Sequence, residues 1–335
     1  MGKVPESTGG NRGKRSGKHL RSGRRCSHLG GRCGTTYFQF LASIDRLEIA
    51  RETLALEEKT IDIIDMRYRR GLVTGLDLAQ VKTNLASVES SIYSIERDRE
   101  QTLHALAILL GRTPGEVSVT PKSLMKTPPP PSVPAGIPSE LLERRPDIRK
   151  AEADLLAANA DVGAAKAAMF PSIQLTAARG FSIASLATLI RPESAFYSLG
   201  AGLVAPIFQG GRLKGEYDRT QARYEELVQN NHKAIISAFR DVEDALVAIE
   251  KLARQEGALS EAAIQAERSY RLAVVRYEAG QVDYLPVLES DRTLLNSRNA
   301  LVEARLARLT SLVALYKALG GGWREENRHP PSAVL

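Results

Sequence analysis

The sequence predicts a mainly α protein of long antiparallel coiled-coil helices, with one β-hairpin and an internal repeat. Three observations predict it. Arg67-Tyr68-x-x-Gly71-x-Val73-x-x-Leu76 returns 209 residues later as Arg276-Tyr277-x-x-Gly280-x-Val282-x-x-Leu285, and the offset holds without a gap to Gly111 and Gly320. Proline, which breaks helix interiors, is absent between Pro5 and Pro114 and again from Arg212 to Ala279. Between Ser172 and Pro206 the apolar period switches to two, the period of a strand. A repeat this long is a duplicated large unit rather than a stacking array. Two such hairpins suit a quasi-symmetric wall in which each copy repeats the other's contacts.

Residues 1–34 carry nine Lys or Arg against the single acid Glu6, a balance of +8, while the whole chain is +7. The body is therefore nearly neutral. This basic, Gly/Ser-rich segment is expected to be a disordered tail, without an apolar run to serve as a signal-peptide core. Cys26, His28 and Cys33 lie in it at a spacing unlike zinc sites. The rest of the chain lacks cysteine, which permits an oxidising compartment.

Residues 35–113 read as the remnant of the first repeat, a helical hairpin with arms over 36–70 and 76–110. Asp77, near the start of the second arm, suits the helix dipole. Residues 114–138 are a Pro-rich linker, in which Pro128 to Pro131 impose an extended path. The second repeat, 139–322, is complete. It opens at the N-cap candidate Ser139 with a helix to 170, whose seam is Ile148, Ala151, Leu155, Ala158, Val162 and Ala165. A β-hairpin spans 172–206. Ile173 and Leu175 alternate with Ser172, Gln174 and Thr176, while Tyr197, Leu199 and Leu203 alternate with Ser198, Gly200 and Gly202. Strands of about ten residues so patterned suit either a membrane barrel or a soluble hairpin.

The long helix 212–279 would extend ~100 Å, with Phe239, Val242, Leu246 and Ile249 at heptad spacing. The helix 286–319 repeats Leu288, Leu295, Val302, Leu309 and Tyr316 every seven residues. The helices at 139–170 and 286–319 together match the long one, so two short helices end to end could flank it. Residues 323–335 form a C-terminal tail.

No catalytic constellation is visible, and an enzyme is not expected. His19 and His28 lie in the tail, His104, His232 and His329 stand alone, and no cofactor or metal is expected. Gln209-Gly210-Gly211-Arg212 lacks the Lys-Ser/Thr of a phosphate loop. Glu289 and Asp291, just past the second turn, read as helix-start dipole partners, or as a charged ring if several chains enclosed a pore.

Four runs carry a family resemblance: Pro138-Ser139-Glu140-Leu141-Leu142-Glu143-Arg144-Arg145-Pro146-Asp147-Ile148-Arg149-Lys150-Ala151-Glu152, Phe170-Pro171-Ser172-Ile173, Pro206-Ile207-Phe208-Gln209-Gly210-Gly211-Arg212, and Ala238-Phe239-Arg240-Asp241-Val242-Glu243-Asp244-Ala245-Leu246. With the two Arg-Tyr-x-x-Gly turns, the chain from about Tyr37 to Gly322 resembles TolC-like outer-membrane efflux proteins, of the lipoprotein branch found with resistance–nodulation–division systems. The resemblance implies a homotrimer whose helices form an α-barrel across the periplasm and whose hairpins contribute to an outer-membrane β-barrel. It implies a passive exit duct working with a periplasmic adaptor and an inner-membrane pump, in contact with outer-membrane lipid, without nucleic acid.

By position, Arg67, Tyr68, Gly71, Arg276, Tyr277 and Gly280 would form the periplasmic tips that meet the adaptor. Glu289, with Asp283, would line the pore aperture, and Ile173, Leu175, Tyr197, Leu199 and Leu203 would be membrane-strand residues. The family's signal peptide, lipidated cysteine and first strand pair are not visible, so the chain reads as an N-terminally truncated duct subunit, which truncation would leave inactive. The alternatives are a soluble helical scaffold that retains adaptor contacts without a pore, and a nucleic-acid-binding coiled coil using the basic tail. The nearly neutral body disfavours the last.

Overall fold

A computed structural model describes residues 4–120, 122–128, 145–181 and 195–321. The Pro-rich run after residue 128, the expected helix start at Ser139 and the 323–335 tail lie outside these. The elements are α1 (Val4–Arg69), α2 (Gly75–Leu109), α3 (Pro146–Ala167), β1 (Ser172–Phe181), β2 (Ala195–Val204), α4 (Arg212–Glu278) and α5 (Leu285–Ala318). Among the described residues no helix is long and apolar enough to cross a membrane.

The chain forms two compact units. One comprises Met1–Arg24 with Leu142–Ser237, the other Arg25–Leu141 with Ala238–Leu335.

In the first, the Arg145-Pro146-Asp147-Ile148 run proves to be a helix start. Pro146 occupies the opening turn of α3, where its missing N–H is an orphan in any residue. Arg145 donates from Nε and Nη2 to the two oxygens of Asp147, at 3.0 and 2.7 Å. Burial opposes ionisation of Asp147, but the Arg145 hydrogen bonds and charge outweigh it and hold this carboxyl below its ordinary value. Ile148 is fully buried. The helix stops at Ala167, short of the expected 170, and Met169 and Phe170 form a turn before Pro171.

β1 and β2 pair antiparallel, Ile173 opposite Leu203, Leu175 opposite Ala201, Ala177 opposite Leu199 and Arg179 opposite Tyr197. Opposed residues share a face, so one face collects Ile173, Leu175, Leu199 and Leu203. The other collects Ser172, Gln174, Thr176, Ser198, Gly200 and Gly202. A Cβ at Gly200 would stand 2.9 Å from Thr176 Oγ1, so glycine leaves that hydroxyl its place.

In the second unit α1 and α2 run antiparallel, joined by Leu47, Ala50 and Ile92 and by an Arg51–Glu96 ion pair at 2.7 Å. α1 reaches back to Val4, where a disordered tail was expected through residue 34. Pro5 stands in its first turn, where proline is tolerated, and no later proline interrupts it. α4 is one unbroken helix of 67 residues. Its Val242 and Ala245 pack on Leu315 and Ala318 of α5. Nearer the turn, Glu256 accepts from Arg305 at 2.8 Å and from Arg308 at 2.9 Å.

The expected seven-residue seam of α5 holds at Leu288, Val302 and Leu309, which are buried. It slips by one residue twice, where Leu294 is buried in place of Leu295 and where Leu315 is 2% exposed against 59% for Tyr316. At its C-terminal end Leu315 packs with Ala318 on Val242 and Ala245 of α4, so the arriving neighbour decides which residue is covered.

Phe40 and Leu41 of α1 meet Val302 and Leu309 of α5 around the fully buried Leu124. The segment 122–128 is held from both sides. Asp45 accepts the Met125 N–H at 3.0 Å, and Arg305 donates from Nη2 to the Thr127 carbonyl.

Candidate functional site at the two helical turns

Each turn begins where a helix ends on a glycine with positive φ, +71° at Gly71 and +69° at Gly280. At the first, Gly71 N–H donates to the Tyr68 carbonyl at 2.9 Å and Leu72 N–H to that of Arg67 at 3.0 Å. At the second, Gly280 N–H donates to Tyr277 at 3.0 Å and Gln281 N–H to Arg276 at 2.9 Å. Both are the same paired closure of a helix C-terminus, so the duplicated sequence yields a duplicated backbone.

The helix starts that follow differ. α2 opens with a reciprocal cap: Asp77 N–H donates to Thr74 Oγ1 at 3.2 Å, and Thr74 N–H donates to Asp77 Oδ2 at 2.9 Å. Asp77 is thus a capping partner and more than a dipole ligand. At α5 the positions equivalent to Thr74 and Asp77 are Asp283 and Pro286, and the cap residue Tyr284 makes no side-chain cap bond.

The side chains diverge further, against the expectation that each copy repeats the other's contacts. Tyr277 is 8% exposed, its counterpart Tyr68 45%. Tyr277 meets Tyr284 edge-on, centroids 5.5 Å apart, within a cluster of Ile64, Val81, Val287 and Leu288. Arg67 lies over the Tyr277 ring with its guanidinium carbon 4.7 Å from the centroid. The structure therefore joins Arg67 of the first motif to Tyr277 of the second. Tyr68 and Arg276 remain exposed.

Glu289 and Asp283 are both exposed, and neither enters an ion pair among the described residues. Asp291, read from sequence as a helix-start dipole partner, instead points into the protein and is 4% exposed. It sits with Glu57 of α1, also 4% exposed, and Asn84 of α2, whose Nδ2 donates to Glu57 Oε1 at 2.9 Å. Burial, then the Asp291 charge, push the Glu57 carboxyl up to about 7. Burial also raises Asp291 and the phenol of Tyr270, the latter to about 12.

Sequence reasoning missed this polar triad, although a signal for it exists. Glu57 stands seven residues from both Ala50 and Ile64, and Asn84 lies between Val81 and Val88; all four apolar neighbours are buried. A polar residue on a coiled-coil seam is a mark of a specific inward partner. The strand residues Ile173, Leu175, Tyr197, Leu199 and Leu203 are all exposed.

Two antiparallel helical hairpins with duplicated turns, and a β-hairpin that gathers Ile173, Leu175, Leu199 and Leu203 on one face, define a repeat-built helical class of protein. The outer membrane efflux protein family model matches residues 29–112 and 137–321. The chain is 41% identical over 295 residues to the pyoverdine export outer membrane protein OpmQ of Pseudomonas aeruginosa, covering 88% of this chain and 61% of that protein. It is 33% identical to the cation efflux system protein CusC of Escherichia coli, covering 87% and 63%. Among solved structures, the open-state MtrE outer membrane channel of Neisseria gonorrhoeae aligns with a TM-score of 0.87 at 30% identity, covering 96% of this chain and 72% of that one. The chain belongs to the outer membrane efflux protein family. It spans about three-fifths of the length of the curated relatives it matches.

Proposed function

We propose that the protein is an outer-membrane channel subunit of a tripartite efflux system, a passive exit duct for small molecules. The observation that carries this reading is the pairing of α1–α2 with α4–α5 around duplicated turns, in a chain whose β-hairpin gathers Ile173, Leu175, Leu199 and Leu203 on one exposed face. Three subunits would set the helical hairpins side by side as a tube. Their strands would then meet outer-membrane lipid through Ile173, Leu175, Tyr197, Leu199 and Leu203. A closed barrel leaves no strand edge exposed to lipid, so the hairpins of several subunits would have to join in one sheet.

In this reading the turns at Arg67, Tyr68 and Gly71 and at Arg276, Tyr277 and Gly280 are the periplasmic tips that receive an adaptor protein. That adaptor couples the duct to an inner-membrane pump, which supplies the energy. Exposed Glu289 and Asp283 follow the second turn, and threefold repetition would place acids around the aperture, favouring cations. The chain's own part is geometry and charge, with no chemical step.

Purification in detergent, followed by mass determination and planar-bilayer recording, tests this reading. A trimer with discrete conductance steps is expected. A water-soluble chain that binds an adaptor but does not conduct would instead establish the second reading, a helical scaffold. That reading draws on the sheet having two strands among the described residues.

A further inference from the structure

The buried triad of Glu57, Asn84 and Asp291 contains a contradiction that one proton resolves. Glu57 Oε2 and Asp291 Oδ2 are buried without a hydrogen-bond partner among the described donors. Yet the two carboxyl groups lie within hydrogen-bonding reach of each other. Two carboxylates offer only acceptors and repel; a single proton between them supplies the missing donor. Asn84 Nδ2 carries two N–H groups, but neither reaches Glu57 Oε2 or Asp291 Oδ2. Nδ2 donates to Glu57 Oε1 at 2.9 Å, while Oδ1 accepts from Arg292 Nε at 3.4 Å.

We propose that Glu57 and Asp291 form a proton-binding site, in which one shared proton latches α1 to α5 and its release loosens the contact between the two helical hairpins. As a control on a duct, the latch rests on the channel reading; as a proton site it does not.

Every element packed around the pair contributes a stated group. From α5, Arg292 and Arg298 favour negative charge, and Arg298 is shared with Glu52 of α1 at 3.3 Å and Glu267 of α4 at 3.6 Å. From α4 comes Tyr270, and from the turn Tyr284, both phenols raised by burial and hence neutral. α2 presents the uncharged Asn84. Arg292 favours the charged form at Glu57 as well, but burial and the Asp291 charge prevail there.

The folded contact holds its proton more tightly than the open one. Its contribution is therefore complete below the ordinary Glu value of 4.5 and lost as pH rises through about 7. Between these limits the opening constant should rise ~10-fold per pH unit, up to ~300-fold in all.

The test uses the full chain in detergent. Infrared spectra should show a protonated-carboxyl band at pH 5 that disappears with a midpoint near 7 and is absent in Glu57→Gln. Hydrogen exchange at Val81–Val88 and Leu288–Leu294, corrected for the chemical rate, should lose protection over the same range. Glu57→Gln, whose amide can donate to Asp291 and accept from Asn84, should stay protected throughout. If that variant does not fold, Asp291→Asn gives the same comparison.

A band that is missing at pH 5, or that persists in both variants, overturns the proposal. So does wild-type protection that ignores pH, or that is restored at pH 8 by sodium or calcium, which would make this a cation site. A chain that titrates in this way but never conducts leaves the proton site standing and removes the duct. A conducting chain without the titration does the reverse.

Discussion

The guanidinium of Arg67 lies over the ring of Tyr277, 4.7 Å from its centroid. These residues belong to different copies of the repeated Arg-Tyr motif, and their contact ties the α1–α2 hairpin to α4–α5 beside both turns. It is attractive because the cation meets the negative face of the ring, for ~0.5–2 kcal/mol.

Truncating the ring should therefore cost far more than removing its hydroxyl. Tyr277→Ala is expected to destabilise the second unit by ~3 kcal/mol, and Arg67→Ala by ~1 kcal/mol. Tyr277→Phe should be neutral or slightly stabilising, since Tyr277 Oη is buried without a partner among the described residues. Denaturant titrations of the three variants check the order.

Gly71→Ala and Gly280→Ala should each cost ~1–2 kcal/mol, the penalty for a side chain in left-handed backbone. A Cβ at either site would meet nothing within 4 Å, so the penalty is conformational and not steric. Calorimetric melting of each variant should give equal losses, because the two closures are alike.

Asp147→Asn should destabilise the start of α3 by ~2 kcal/mol through loss of the charged hydrogen bonds to Arg145. In the wild type Asp147 is held below its ordinary 3.8. Its contribution is thus present above that pH and fades as pH falls through the lowered folded value. Acid melting of wild type and variant should converge at low pH; curves that stay parallel would remove Asp147 as the cause.

Leu199 and Ser198 are neighbours on opposite faces of the sheet. If the apolar face meets lipid, Leu199→Arg should weaken insertion by ~2–4 kcal/mol near the bilayer midplane, and Ser198→Arg should be tolerated. Folding into phospholipid vesicles at graded urea measures the difference.

If Glu289 lines the aperture, Glu289→Gln should lower the cation preference of the reconstituted channel several-fold by removing one charge per subunit. Reversal potentials in a salt gradient read this directly. An unchanged potential would place the narrow, charged part of the duct elsewhere.

Much of the fold was legible because proline, glycine and apolar spacing act locally. The proline-free run gave a helix from 212 that ends at Glu278, one residue from the expected limit. Gly71 and Gly280 marked the turns, and period-two alternation located both strands with their faces. The family resemblance was legible in the same way, since its runs fall at a helix start, as at Arg145-Pro146-Asp147-Ile148, at turns, and on the packed face of α4 at Ala238–Leu246.

Partner choice was not legible. A duplicated sequence makes Tyr68 and Tyr277 equivalent, and the backbone closures honour that equivalence, but burial depends on which neighbour arrives, and only Tyr277 receives Tyr284 and Arg67. The same holds for Leu315 over Tyr316, where Val242 and Ala245 of α4 receive the leucine. It holds most strongly for Glu57 and Asp291. Sequence alone placed these acids on helices, yet only packing removed their water and set one against the other. Desolvation and like-charge proximity are properties of three-dimensional contact, so one-dimensional pattern decided the elements and tertiary structure decided their chemistry.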